Sequence, residues 1–296
     1  MNELVVISGK GGTGKTSLVA SLAVLAEGTV LADCDVDAAD LHLVMAPEIQ
    51  RRETFVSGRE AVIRPDDCTG CATCLARCRF DAVVRTETAD GPSFRIDPTA
   101  CEGCGVCVRF CPEGAIDFPE CECGEWFISE SRHGPMVHAR LAIGAENSGK
   151  LVTLVRQHAR EVAQQRGFDQ ILIDGPPGIG CPVIAAITGA SFVVVATEPT
   201  RSGQHDFERV AGVARHFGVP AAVCVNKWDL NPDLADAIEA QARGLGLDVL
   251  GRVRYDKAIT EAQVQGRAVV EVNHSPVADD IRTVWEQLCQ RNQPKT

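Results

Sequence analysis

Gly9-Lys10-Gly11-Gly12-Thr13-Gly14-Lys15-Thr16 follows an apolar run at 4–8 and opens a helical pattern at 15–26. In that context a G-x-x-x-x-G-K-T string reads as a phosphate-binding loop. Its glycines let backbone N–H groups curl around phosphate oxygens, and the helix N-terminus adds the positive end of its dipole. Residues Gly11, Gly12, Thr13, Gly14, Lys15, Thr16 and Ser17 are the expected cradle, with Lys15 reaching the β- and γ-phosphates and Thr16 ligating Mg²⁺. A second apolar run at 29–32 ends in Asp33-Cys34-Asp35 and completes the opening of a βαβ unit. Beyond Cys123 the alternation resumes, with a helix expected at 151–165, strands at 170–173 and 192–196, a helix at 206–217 and a strand at 221–225. Phe192-Val193-Val194-Val195 has no polar alternation, as expected of parallel strands covered on both faces. The fold class implied is α/β, a doubly wound, mostly parallel sheet.

The segment 59–118 breaks this rhythm and reads as an insertion, giving a first part at 1–58, the inserted domain at 59–118 and a second part at 119–296. The chain has 14 cysteines. No basic leader or cleavage site precedes the first strand and no apolar stretch approaches a membrane span, so the expected location is the cytoplasm and the cysteines point to metal, not disulfides. Cys68-x2-Cys71-x2-Cys74-x3-Cys78 and Cys101-x2-Cys104-x2-Cys107-x3-Cys111-Pro112 repeat one spacing. The runs resemble the bacterial ferredoxin pattern, in which each fourth cysteine ligates the other cluster. That resemblance implies one 4Fe-4S cluster on Cys68, Cys71, Cys74 and Cys111, and a second on Cys101, Cys104, Cys107 and Cys78. Zinc is the competing metal for C-x2-C pairs. Arg79 replaces the proline usual after the first run, and its charge should raise the potential of the nearby cluster.

Lys10, an extra lysine inside the loop, resembles the deviant form of the MinD/ParA/nitrogenase-iron-protein class of P-loop ATPases. By that resemblance Lys10 reaches phosphates bound by a partner subunit, which implies a homodimer, or a heterodimer with a related ATPase, with nucleotide at its interface. Asp35 resembles the switch I aspartate that positions the attacking water. Asp174, at the end of Ile171-Leu172-Ile173, resembles the carboxylate that holds Mg²⁺ through water, and Gly175-Pro176-Pro177-Gly178 resembles switch II. Lys10, Lys15, Asp35 and Asp174 are thus the expected catalytic set. Asn226-Lys227-Trp228-Asp229 resembles a base site, with Asn226 reading a ring edge; N-K-x-D is also a guanine signature, and the deviant loop favours ATP. Arg254 stands in the segment Gly251–Asp256 that resembles the class's cover over the base, where proline is frequent. Met136–Leu141 and Glu198-Pro199-Thr200 resemble further segments of the class.

Other features carry weaker expectations. Gly144–Lys150 repeats the G-x-x-x-x-G-K spacing without a hydroxyl after it and reads as a helix-start loop, with Glu146 or Lys150 as cross-dimer nucleotide contacts. Cys181 lies where nitrogenase iron protein holds a ligand of its subunit-bridging cluster, but no cysteine falls in the 144–149 loop for a second ligand. Cys121-x-Cys123, with His133 and His138 beyond, offers soft ligands, so Cys181, Cys121 and Cys123 are the candidates for a third metal site. Cys34, Cys224 and Cys289 read as small core residues. A helix at 277–290, with Ile281, Val284, Trp285 and Leu288 on one face, reads as docked.

With 40 acidic against 29 basic residues the net charge is −11, which argues against a general phosphate-backbone binder of nucleic acid. The whole resembles the MinD-superfamily ATPases with an inserted ferredoxin domain. The cofactors implied are ATP, Mg²⁺ and two 4Fe-4S clusters, with slow, partner-stimulated hydrolysis. The first functional expectation is a switch whose ATP state governs electron transfer or metallocofactor assembly on a protein partner. The alternatives are a MinD/ParA-like positioning ATPase with structural clusters, and a ferredoxin-type carrier with regulatory nucleotide.

Overall fold

The computed structural model describes residues 1–88, 91–142, 144–145, 147–272 and 274–291 of the 296-residue chain. In chain order the strands are β1 (Asn2–Ser8), β2 (Thr29–Asp33), β3 (Glu48–Arg59), β4 (Val62–Ile63), β5 (Val83–Thr88), β6 (Gly91–Ile96) and β7 (Ile116–Asp117). They continue as β8 (Glu120–Ser131), β9 (Gly134–Leu141), β10 (Gln170–Pro177), β11 (Phe192–Thr197), β12 (Ala221–Asn226) and β13 (Asp248–Val253). The helices are α1 (Lys15–Leu25), α2 (Leu41–Met45), α3 (Thr73–Arg77), α4 (Val106–Phe110), α5 (Ser148–Arg166) and α6 (Cys181–Ile187). After these come α7 (Arg201–His216), α8 (Pro232–Gly244), α9 (Lys257–Val264), α10 (Val269–Val272) and α11 (Pro276–Arg291).

Two compact units are present. The first comprises Met1–Glu53, Trp126–Arg140 and the chain from Ser148 onward; the second comprises Thr54–Glu125 and Leu141–Asn147. The large sheet has the strand order β13-β12-β11-β1-β10-β2-β9-β8-β3. From β13 to β9 every neighbour pair is parallel. This is why the central strands read as unbroken apolar runs: Val193 to Val195 and Ile171 to Ile173 are fully buried under helices on both faces. The crossover order places the C-terminal ends of β1, β10 and β2 side by side, with Val6 opposite Asp174 and Asp174 opposite Asp33. Loops at that edge are where an open α/β sheet holds its ligand.

α1 is buried along most of its length, through Leu18, Val19, Leu22 and Ala23. α11 packs on β13 and α1 with Ile281, Val284 and Leu288 inward, as the sequence period implied. α5 is fastened to the foot of β1 by a buried ion pair: Arg156 donates to Glu3 and also to Ala185 O at 2.6 Å and Thr188 O at 2.8 Å. Arg160 also pairs with Glu3, so the costly change is loss of Glu3, which strands the buried Arg156 charge at about 3–5 kcal/mol.

Some elements differ from the sequence reading. α7 begins at Arg201, five residues before the expected start, because the Thr200 hydroxyl caps it by accepting from Gly203 N. β10 runs on through Pro177. β8 and β9 form a hairpin closed at Ser131–Gly134, in a region the sequence left mostly unassigned. Cys34 and Cys224 are buried as expected, but Cys289 is exposed on α11 and is no core residue. Among the described residues no helix is long and apolar enough to cross a membrane.

In the second unit, β4 pairs with β7 and β5 with β6, both antiparallel. A small core of Ala61, Ile63, Val83, Phe94 and Ile116 includes Cys74, with Cys68, Cys78, Cys101, Cys107 and Cys111 packed against it. The two cysteine runs fold alike: each short helix starts after a left-handed residue, Ala72 (φ 59°) or Gly105 (φ 69°), and is capped at its C-terminus by Cys78 or Cys111.

Candidate nucleotide site and cysteine cavities

The loop between β1 and α1 is crowded at its two ends, by Asp206 at Gly9 and by Asn226 at Gly14. Gly14 has φ +84°, and a Cβ there would collide with the Asn226 amide. Asn226 Nδ2 donates to Thr13 O at 2.7 Å and its Oδ1 accepts from Lys227 N, so the amide helps to hold the loop. Lys227 Nζ donates to Gly12 O at 2.8 Å and to Glu198 at 3.1 Å. The strand β12 thereby clamps the phosphate loop.

Lys15 is buried at the mouth of the sheet, its Nζ donating to Asp174 Oδ1 at 2.8 Å and Asp35 Oδ2 at 3.0 Å. Burial works against its charge, but the two carboxylates outweigh it and hold its pKa above the usual lysine range. Asp33 is fully buried behind them and accepts from Asp35 N and Leu41 N, which fixes the turn that carries Asp35. Burial, reinforced by the charge of Asp174, pushes Asp33 well up. Burial also raises Asp35, with Lys15 opposing. Asp174 Oδ2 is buried without a partner in the described structure. Two carboxylates thus share one ammonium, a third is held behind them by backbone N–H groups, and one oxygen of Asp174 is orphaned. This donor set suits a divalent cation: Asp174 and the Thr16 hydroxyl are the groups that would hold Mg²⁺, which would supply charge neutralisation for phosphate oxygens.

Beside the loop lies an open cavity walled by Gly12, Gly14, Ser17, Asn226, Lys227, Arg254, Tyr255, Ile259, Thr260 and Gln263. Its far wall is α9, which sequence reasoning missed: Gln263 Nε2 donates to Ser17 Oγ at 2.8 Å. The available signal was Asp256, which caps α9 by accepting from Ala258 N. Arg254 is paired with Asp280 at 2.7 Å. Asp229 accepts from Tyr255 N at 2.7 Å and is not in the cavity wall.

Lys10 is held within its own chain, by Glu198 at 2.6 Å, Ser202 Oγ at 3.1 Å and Thr200 Oγ1 at 3.4 Å. Cys181 is exposed at the start of α6, where Gly149 of α5 comes close to it. Lys150 lies in the first turn of α5, and Glu146 is outside the described residues. His133 and His138 are engaged by Glu271 and Ser129, not by the thiols of Cys121 and Cys123. Among the described residues no three His, Cys, Asp or Glu side chains gather around a single-ion position.

In the second unit the eight run cysteines divide between two cavities. One is lined by Cys68, Cys71, Cys74 and Cys111 with Ile63, Phe94 and Ile116. The other is lined by Cys78, Cys101, Cys104 and Cys107 with Phe80, Val83 and Ile96. Each fourth cysteine therefore crosses to the other run's cavity.

The chain matches the family model of the CobQ/CobB/MinD/ParA nucleotide binding domain over residues 4–269. It is 35% identical to an uncharacterized protein of Methanocaldococcus jannaschii, over 77% of this chain and 79% of the relative. It is 24% identical to the septum site-determining protein MinD of Bacillus subtilis, over 91% of this chain and 82% of that one. The fold is shared with MinD of Pyrococcus horikoshii, solved with Mg-ADP (TM-score 0.61, 17% identity, 100% and 99% of the two chains covered). It is also shared with the MinC:MinD complex of Aquifex aeolicus (TM-score 0.57, 17% identity, 100% and 99% covered). With β1, its glycine loop, Lys15 and the Asp35–Asp174 pair in place inside that match, the chain belongs to the MinD/ParA family of nucleotide-binding ATPases.

Proposed function

We propose that this ATPase is a nucleotide switch that engages a protein partner and carries two 4Fe-4S clusters in its second unit. The observation that supports the clusters is the division of the cysteines, three from one run and the fourth from the other around each apolar cavity. Zinc would draw four sulfurs around one ion at about 2.3 Å each. A 4Fe-4S cluster instead takes one sulfur on each of its irons, and the crossover of the fourth cysteine is the arrangement it needs. Such clusters would supply one-electron chemistry; the chain's part is to shield them with Ile63, Phe94, Val83 and Ile96.

The switch follows from Lys15. Its ammonium pairs with both Asp35 and Asp174. A triphosphate in the loop competes for the ammonium, which frees Asp35 to orient the attacking water and Asp174 for Mg²⁺. Gly178 N donates to Ser8 O, so the segment after Asp174 is tied directly to the loop that senses phosphate. Adenine is the base favoured, because Asp229 is spent on Tyr255 and stands outside the cavity. Lys10 crossing to a second copy's phosphates makes the ATP form a dimer.

The family match favours one alternative, a MinD/ParA-like positioning factor whose clusters only stiffen the second unit. An anaerobic redox titration of the reconstituted protein, followed by EPR with and without MgATP and a non-hydrolysable analogue, separates the readings. A nucleotide-dependent potential supports electron or cluster transfer under ATP control. Unchanged potentials with intact ATP-driven dimerisation support the positioning factor. Failure to incorporate iron and sulfide, in a protein that still binds ATP, removes the clusters from the reading altogether.

A further inference from the structure

Two cysteines outside both cavities share one face of a strand. Side chains alternate along a strand, so the outer residues of Cys121-Glu122-Cys123 in β8 point the same way. Cys123 Sγ lies 3.5 Å from Cys121 O, and neither thiol is in a disulfide. Cys123 is buried and its thiol donates to Ser57 O at 2.8 Å. Both line an open cavity in the second unit, together with Arg59, Glu60, Glu102 and Cys101.

The coordination available selects the ligand. Among the described residues no third His, Cys, Asp or Glu completes a metal group with this pair. A structural zinc takes four protein ligands and a catalytic zinc three, so two sulfurs do not make a zinc site. Thiolates select soft ions, and a monovalent d¹⁰ ion is satisfied by two of them. We propose that Cys121 and Cys123 form a two-sulfur site for a monovalent soft cation of the Cu(I) type. Loading breaks two S–H bonds and forms two S–metal bonds, releases two protons to solvent and leaves the oxidation state of metal and sulfur unchanged. Burial, with the neighbouring thiol, pushes Cys121 up to about 11, so without a cation this sulfur keeps its proton at neutral pH. Neither sulfur belongs to either set of four, but Cys101 of the second set lines the same cavity, so iron content must be followed alongside copper.

The test is an anaerobic titration of the cluster-loaded protein with Cu(I) buffered by bicinchoninate, following iron content and cluster absorbance in parallel. One Cu(I) per chain, bound without loss of iron, is the expected result. Cys121→Ser and Cys123→Ser should each weaken it by more than about 100-fold, beyond the loss typical of outer-shell changes. In the unmutated protein, one equivalent of Cu(I) should protect both residues from alkylation, read by peptide mass; this arm does not depend on the variants folding. No uptake, uptake that strips iron, undiminished binding in both variants, or a peptide mass showing a 121–123 disulfide in the anaerobic protein overturns the site.

Discussion

Glu198 holds the loop lysine of its own chain, and Lys10 must leave it to reach a second copy's nucleotide. The carboxylate bridges Lys10 at 2.6 Å and Lys227 at 3.1 Å, with burial opposing its charge but the two lysines holding its pKa below the usual carboxylate range. The Lys10 side chain is 32% exposed and that of Glu198 15%, so the pair belongs near the surface range of about 0.5–1 kcal/mol. A symmetric dimer breaks two of them, an opposing term of about 1–2 kcal/mol, or roughly five- to thirty-fold in the dimer dissociation constant. Glu198→Gln removes the charge and keeps the shape. It should tighten dimerisation in a non-hydrolysable ATP analogue by up to that factor, measured by sedimentation equilibrium. The gain should shrink at high salt, where the pair it removes is already screened. Lys10→Ala should abolish nucleotide-dependent dimerisation in either background. A Glu198→Gln protein that dimerises no better, or worse, than the parent refutes the latch.

Asp35→Ala should retain ATP binding and lose hydrolysis, measured by equilibrium dialysis and phosphate release; unchanged turnover removes Asp35 from the chemistry. Gly14→Ala places a Cβ on the Asn226 amide at φ +84°, so it should abolish nucleotide binding and lower stability by about 1–3 kcal/mol in a urea titration. His138, stacked on Phe127 and bonded to Ser129 Oγ at 2.9 Å, has its pKa lowered to about 4 by burial, with His42 adding to it. A base depressed on folding contributes stability that is full above its unfolded pKa near 6.5 and is lost as pH falls towards 4, about 3 kcal/mol in all. The difference between the parent and His138→Gln in urea stability should therefore narrow between pH 6.5 and 4, and a pH-independent difference contradicts the assignment.

What the sequence made legible was whatever is written in local spacing. The loop is a contiguous string and the buried strands are contiguous apolar runs, so both were readable from neighbours alone. The eight run cysteines carry their spacing with them, and their division between two cavities follows the pattern's crossover. What was not legible depends on side chains finding partners far along the chain. Asn226 read as a base-edge contact, and the fold gives it a second task that no local spacing shows: Thr13, 213 positions away, accepts from its amide. Gln263 had no motif around it, and only the packing of α9 beside α1 sets it against Ser17. The β8–β9 hairpin escaped because its burial alternates imperfectly over a mixture of acidic, cysteine and aromatic residues. His133 and His138 looked like metal ligands beside Cys121 and Cys123 in sequence, and in space they are satisfied by Glu271 and Ser129.

The arrangement of Asp33, Asp35 and Asp174 around one ammonium explains why nucleotide and metal should be bound together. Each carboxyl is buried, and Lys15 is the cation that reaches two of them. If phosphate draws the ammonium away, two acids lose their counterion inside the protein, and another cation must replace it or the acids must take up protons. Asp174 Oδ2, buried and unpartnered, is the natural first contact for that cation. Lys15→Met imitates the departure without nucleotide. In that variant Mg²⁺ alone should raise the thermal midpoint in proportion to the logarithm of its concentration above Kd, while the parent, whose lysine already fills the place, should respond little. Equal Mg²⁺ responses in the two proteins would mean that Lys15 does not stand in for the metal, and the coupling would then have to arise from the phosphates alone.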